Sequence, residues 1–249
     1  MSAVAKPVIW ITRPQPGADK SAAAIATMGF HPVVVPLTEV AATEPAIDPA
    51  EAARADAVVV TSGNAVRLVP DALVSALFDK TVYTVGAATK ADALARGFRD
   101  VRSADGAVDD LVALVCAREK PGSALVYLCG KLRTGDLEGK LARKGLNCLV
   151  CEVYSTKIVS HMTDILEKKL SAGSPDTVLF HSALSARAFA EHAKAQSPQV
   201  YEYTRFLTIS ERVAMALPDY LKDRITVAEE PTEQSLLAAL CDIVSAGRD

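Results

Sequence analysis

Six short segments, each at the end of an apolar run, carry the side chains of this chain that could do chemistry. They are Thr12-Arg13-Pro14, Thr61-Ser62-Gly63-Asn64, Gly86-Ala87-Ala88-Thr89, Cys129-Gly130-Lys131-Leu132-Arg133, His181-Ser182-Ala183-Leu184-Ser185 and Ser210-Glu211-Arg212. Small residues let the backbone approach a ligand, hydroxyls add donors, and amides at a helix start carry partial positive charge. Several such ends converging would bind a polyanion, each contributing about 0.3 to 1 kcal/mol. Arg13 and Arg133 could add charge-assisted bonds to carboxylates, and Tyr154, closing the run Leu149-Val150-Cys151-Glu152-Val153, could donate a proton or hydrogen bond. Each has a plainer reading. Serine, threonine and asparagine after a strand are the usual helix caps, a surface arginine is usually solvated, and a tyrosine at a strand end often buries its ring and exposes its hydroxyl. No nucleophile elbow, Walker loop, dinucleotide fingerprint, HExxH or paired-carboxylate motif is present. The chemistry that fits is the holding of a reactive substrate in one shape.

The elements that must position these turns are short Val- and Ile-rich runs alternating with helical patterns, the mark of repeated βα units and parallel sheets. Strands are expected at 8–12, 32–35, 57–61, 81–85, 124–128, 148–153, 177–180, 205–209 and 225–228. Helix starts are expected at Asp109 or Asp110, Ser182 or Ser185, and Thr232, and Gly29, Gly97 and Gly145 read as C-terminal caps. The pattern occurs twice. Residues 56–69 and 176–189 align at a shift of 120, matching Ser62 to Ser182 and Arg67 to Arg187. Residues 82–89 answer 206–213, and Val8 and Gly29 answer Ala124 and Gly145 at a shift of 116. Two similar half-chains imply two lobes with a cleft between them, which makes a wholly structural account of all six turns less attractive. The Thr-rich segments 36–56 and 154–164 lack a helical period and are the candidate linkers. If both join the same lobes, one lobe is assembled from the two ends of the chain.

Composition removes other classes. Half of the 249 residues are hydrophobic but only 5% are aromatic, and the formal net charge is −3, so stacking platforms are scarce and the balance argues against a general nucleic-acid binder, leaving room only for a local basic patch. No apolar run approaches the roughly 20 residues that span a bilayer, and there is no signal-peptide pattern, which together lead to the expectation of a soluble cytoplasmic protein. The five cysteines fit reduced thiols better than a disulfide framework. Cys148 and Cys151 have redox-motif spacing, but on a strand positions three apart face opposite ways, so buried cysteines are the expectation. The four histidines share no metal-ligand spacing with them.

At these same turns the chain resembles the uroporphyrinogen-III synthase family. The resemblance runs through Thr12-Arg13-Pro14, residues 61–65, 85–89, 129–133 and 153–156, then Ser182 and Ser185, to Glu230-Pro231-Thr232-Glu233-Gln234-Ser235-Leu236. Each motif is short, and their order and spacing carry the specificity. The resemblance implies an α/β fold of two flavodoxin-like lobes, each a parallel sheet flanked by helices, joined by a two-stranded linker. The lobes would comprise residues 1–37 with 158–249, and 38–157. It implies closure of hydroxymethylbilane into a ring with loss of water and inversion of ring D, through an azafulvene and a spiro-pyrrolenine, without cofactor or metal. The bilane also closes spontaneously to the uninverted isomer, so the enzyme must select a fold of its substrate. By resemblance Tyr154 assists departure of the hydroxyl. Carboxylate contacts fall on Thr61, Ser62, Thr89, Arg133 and Ser182, with Arg13, Asn64, Gly86, Gly130, Ser185 and Ser210 as further substrate-binding candidates. Ser210 and Val213 depart from the glycine and threonine common at that turn. A monomer with no nucleic-acid or membrane partner is expected. The alternative is a non-catalytic two-lobed module that binds a tetrapyrrole or a phosphorylated ligand, since residues 61–64 also resemble a flavodoxin phosphate loop.

Overall fold

Runs such as Ala57-Val58-Val59-Val60 and Thr177-Val178-Leu179-Phe180, in which every side chain is buried, belong in the middle of sheets covered on both faces. The computed structural model describes residues 6–133 and 135–246. In chain order its elements are β1 (Val8–Ile11), α1 (Gly17–Thr27), β2 (His31–Val34), β3 (Thr38–Ala42), α2 (Pro49–Ala52), β4 (Ala57–Val60), α3 (Gly63–Leu68), α4 (Asp71–Leu77), β5 (Thr81–Thr84), α5 (Ala87–Arg96) and β6 (Val101–Ser103). They continue with α6 (Val108–Cys116), β7 (Ala124–Gly130), α7 (Leu137–Ala142), β8 (Asn147–Ile158), α8 (Met162–Leu170), β9 (Thr177–Phe180), α9 (Ala183–Ala195), β10 (Arg205–Thr208), α10 (Glu211–Ala214), β11 (Ile225–Val227) and α11 (Glu233–Ala246).

The chain divides into two compact units. The first runs to Glu39 and resumes at Lys157; the second spans Val40–Thr156. The breakpoints fall inside β3 and β8, against 37/38 and 157/158 expected from the sequence. The first unit holds a sheet of order β11-β10-β9-β1-β2, and the second one of order β3-β8-β7-β4-β5-β6. Matching β9-β10-β11 to β4-β5-β6 and β1-β2 to β7-β8 superimposes the two orders, so the second unit is a circular permutation of the first. The register agrees residue by residue. Ala57 pairs with Leu125 and Thr81 in one sheet, and Thr177 pairs with Ile9 and Arg205 in the other.

Every sheet face has its own core. In the first unit one face packs Trp10, Val178, Phe180 and Phe206 against Leu166, Phe189 and Val213, and the other packs Ile9, Ile11 and Leu179 against Ile25, Leu236 and Leu240. In the second, Val58, Val60 and Val126 meet α3, α4 and α5, while Val59, Leu125 and Tyr127 meet α6 and α7. Each such side chain contributes about 1.5 to 3 kcal/mol when fully buried.

The structure corrects the sequence reading at several points. Residues 36–56 and 154–164 are not simply extended: β3 and α2 lie in the former, the end of β8 and the start of α8 in the latter. Val159 N–H donates to Leu37 O and Thr43 N–H to Val153 O, so β3 runs antiparallel to β8. β6 was also missed. Helix α6 is capped by neither Asp109 nor Asp110; it begins after Ala107, whose N–H donates to Asp110 Oδ2 at 2.7 Å. Ser62 and Ser182 are matched N-caps, accepting from Asn64 N and Ser185 N at 3.2 Å each. Gly29, Gly97 and Gly145 all have positive φ after helices, where a side chain would be strained.

The core also holds a histidine. His192 on α9 is 4% exposed, beside Tyr201, and neither ring nitrogen has a partner among the described residues. Burial lowers its pKa from the ordinary 6.5. The folded chain therefore takes up this proton less readily than the unfolded chain, and stability falls as pH drops below about 6.5, by up to about 1.4 kcal/mol per pH unit until the folded-state value is passed. Urea unfolding at about pH 7.5 and about pH 5.5 is expected to show this loss, and His192→Phe is expected to reduce it.

Candidate functional site

A ligand site in an open parallel sheet forms beyond the carboxyl ends of two strands whose connections leave in opposite directions. In the second unit those strands are β4 and β7. Their ends frame a pocket of 240 Å³ lined by Thr61, Ser62, Tyr127, Gly130, Arg133 and Tyr154, with Val85, Val108, Leu132 and Leu137 as apolar wall.

The placement of Tyr154 rests on an irregularity. Strands β7 and β8 pair in step up to Cys129 with Glu152, then Gly130 pairs with Tyr154, leaving Val153 as an extra residue. Strict alternation would send Tyr154 to the face of Cys148 and Val150, which packs on α6 and α7. The bulge turns it to the other face, where it packs with Cys151 and Val153 beside α3. The ring is half-buried, and its hydroxyl donates to Ser62 Oγ at 3.4 Å. Gly130 is its seat: a Cβ there would lie 2.5 Å from Tyr154 Cζ.

The polar groups around it are already organised. Thr61 Oγ1 lies 2.9 Å from Tyr127 Oη, and burial pushes the Tyr127 phenol up to about 12, so it stays neutral. Arg133 Nη1 donates to Glu152 at 2.7 Å and to Gly130 O at 3.2 Å, and Nε lies 2.8 Å from Glu138. The hydrogen bond to Glu152 raises the guanidinium pKa above its ordinary value, so Arg133 is a permanent cation held by two carboxylates.

Thr61, Ser62, Gly130, Arg133 and Tyr154 are thus brought together. The other candidates of this unit stand apart from the pocket lining. Asn64 accepts from Arg67 at 2.7 Å, Gly86 precedes α5, and Thr89 is 8% exposed within that helix. Arg13, Ser182, Ser185 and Ser210 belong to the first unit. There Ser185 is fully buried with its hydroxyl against Ser182, and Ser210 caps α10 without a side-chain bond. Arg13 Nη1 donates to Glu233 at 2.7 Å, joined by Ser21 Oγ at 2.5 Å and His181 Nε2 at 2.9 Å. Burial alone would raise the Glu233 pKa, but the hydrogen bonds from His181 and Ser21 and the charges of His181 and Arg13 bring it to about 2. The strand ends that are open in the second unit are occupied here by the chain's own carboxylate.

Tyr127, Glu138, Glu152, Ser21 and Glu233 escaped the sequence reading as site residues. Glu152, two residues before Tyr154 on the same strand, and Glu233, within the motif at 230–236, offered a local signal. Burial pushes Cys129 and Cys148 up to about 12 and Cys151 up to about 11, keeping them as protonated core thiols. Cys148 and Cys151 face different cores. Among the described residues no group of three or more His, Cys, Asp or Glu is arranged to hold a metal, and no helix is long and apolar enough to cross a membrane.

A family model described as Uroporphyrinogen-III synthase HemD matches residues 19–238. The chain is similar to the crystal structure of uroporphyrinogen-III synthetase from Helicobacter pylori, with 18% identity, 96% of this chain and 99% of that chain covered, and a TM-score of 0.63. It is also similar to a mutant uroporphyrinogen III synthase from the extremely thermophilic bacterium Thermus thermophilus, with 18% identity, 96% and 99% covered, and a TM-score of 0.54. At these identities the structures speak for the fold. A comparison with curated protein sequences finds no significant match.

The Gly130 seat is testable without any ligand. Gly130→Ala is expected to force the Tyr154 ring aside and cost about 1 to 3 kcal/mol. In a Tyr154→Ala background the same substitution is expected to cost much less, and urea unfolding of the four chains measures the difference.

Proposed function

The chain belongs to the uroporphyrinogen-III synthase family, and on that premise we propose that Tyr154 supplies the proton with which hydroxymethylbilane loses its terminal hydroxyl as water. The activity follows from membership: the protein is an enzyme of tetrapyrrole biosynthesis that closes hydroxymethylbilane with inversion of ring D to give uroporphyrinogen III. The residue roles and the class of the enzyme, a carbon–oxygen lyase, are our reading.

The observation that carries the role of Tyr154 is its seat on Gly130, with its hydroxyl at the edge of a pocket that also presents Thr61, Ser62 and Arg133. A phenol there can donate its proton to the departing hydroxyl, which leaves as water, and the phenolate can take up the proton that the pyrrole ring releases after ring closure. Hydroxyls of Thr61 and Ser62 and the cation of Arg133 are suited to carboxylates. Because Arg133 is already shared by Glu138 and Glu152, it orients a substrate carboxylate more than it attracts one. A site of this kind accelerates by fixing which carbon of ring D reaches the electrophile, the work of orientation. Thr89, Asn64, Gly86 and the first-unit residues Arg13, Ser182, Ser185 and Ser210 remain proposed as contacts on the resemblance alone. On the same footing we assign a monomer working in the cytoplasm on a small molecule, without nucleic acid.

Tyr154→Phe keeps the ring and removes the donor. We expect kcat to fall by about 10² to 10⁴ with little change in KM. The type I isomer should rise as spontaneous closure competes. Unchanged turnover in a folded variant would reduce Tyr154 to packing.

A further inference from the structure

The first unit carries a larger pocket, of 760 Å³, on the α9–α10 face. Its floor is apolar and includes Met162, Leu184, Met215 and Leu217, and Met215 leaves 77% of its surface exposed. On its rim Lys194 is paired with Glu191 at 2.8 Å, but Arg187 and Arg212 have no ion pair among the described residues.

The internal duplication explains why Arg187 is unpaired. Its counterpart at the shift of 120 is Arg67, which in the second unit donates to Asp92 and to Asn64. The same shift takes Asn64 to Leu184. The shift of 124 that matches β5 and β6 to β10 and β11 takes Asp92 to Ala216. Both partners are thus replaced by apolar residues, and both replacements line the pocket. The shift of 124 also takes Ala88 to Arg212, so the first unit has exchanged an acid and an amide for apolar wall and gained a second cation.

The geometry points to this groove as a binding site for a polycarboxylated tetrapyrrole, with carboxylates on Arg187 and Arg212 and the apolar pyrrole body against the methionine- and leucine-lined floor. Two unpaired guanidiniums above an apolar floor match a ligand that is apolar in its body and anionic at its periphery. The choice of a tetrapyrrole over another amphipathic carboxylate rests on the family activity; the shared chemistry covers both the linear substrate and its ring-closed product.

The test uses the full chain, with uroporphyrin as the binding probe and hydroxymethylbilane as substrate. Arg187→Ala/Arg212→Ala is expected to weaken uroporphyrin binding by roughly 5- to 30-fold, because both arginines are solvent-exposed in the free protein. Ala216→Asp, which recreates the partner that Arg67 has, is expected to weaken it in the same direction by recapturing Arg187. If substrate uses the groove, KM rises by a similar factor and by more than any fall in kcat. If product uses it, the inhibition constant of uroporphyrin rises instead. Binding and KM both unchanged in folded variants, or no uroporphyrin binding by the wild-type chain, would overturn the site. A wild-type chain that fails to make the type III isomer would contradict the activity, a separate result.

Discussion

The ring of Tyr154 lies on the backbone of Gly130, closer than any side chain at that position would permit. That contact depends on one extra residue, Val153, in the pairing of β7 with β8. Without the bulge the phenol would point into the core beneath α6 and α7. With it, the ring crosses to the α3 side and its hydroxyl meets Ser62 at the start of that helix. The pocket, the arginine clamp and the hydroxyls of the β4 turn are arranged around this position. Arg133 is tied to Gly130 O and to Glu152, the residues that flank the bulge on the two strands.

The duplicated halves have used the same frame differently. Both place a capping serine after their central strand, Ser62 and Ser182, and both keep an arginine one turn on. At the strand ends the second unit leaves a pocket, whereas the first fills the position with Glu233, held by Arg13, Ser21 and His181. That carboxylate stays ionised because three donors replace the water it gives up. Along the flanking helices the pattern reverses: Arg67 is neutralised and Arg187 is left open. One repeated frame thus supplies two different polar surfaces through a handful of differences at matched positions.

The parts of this account that were legible in the sequence are those whose cause is local. Strands β4 and β9 announce themselves because buried parallel strands are nearly continuous apolar runs, and the 120-residue repeat is visible because their turns repeat too. Strands β3 and β6 are the two edges of the six-stranded sheet, and an edge needs only one well-covered side, so Thr38-Glu39-Val40 and Val101-Arg102-Ser103 read as loop. The turns of Thr61, Ser62, Gly130, Arg133 and Tyr154 were legible as candidates. Their assembly was not, because Arg133 meets Glu152 through strand pairing and Tyr154 owes its face to a bulge with no signature of its own. Gly130 was read as a ligand contact, and the structure gives it a second reason, the aromatic ring above it.

The most direct measurement supplies freshly generated hydroxymethylbilane to the purified chain and separates the uroporphyrin isomers by chromatography after oxidation. Predominantly type III, formed faster than in buffer, is the result expected of an enzyme that holds the bilane for inversion of its last ring. Type I alone, at the rate seen without protein, would contradict it.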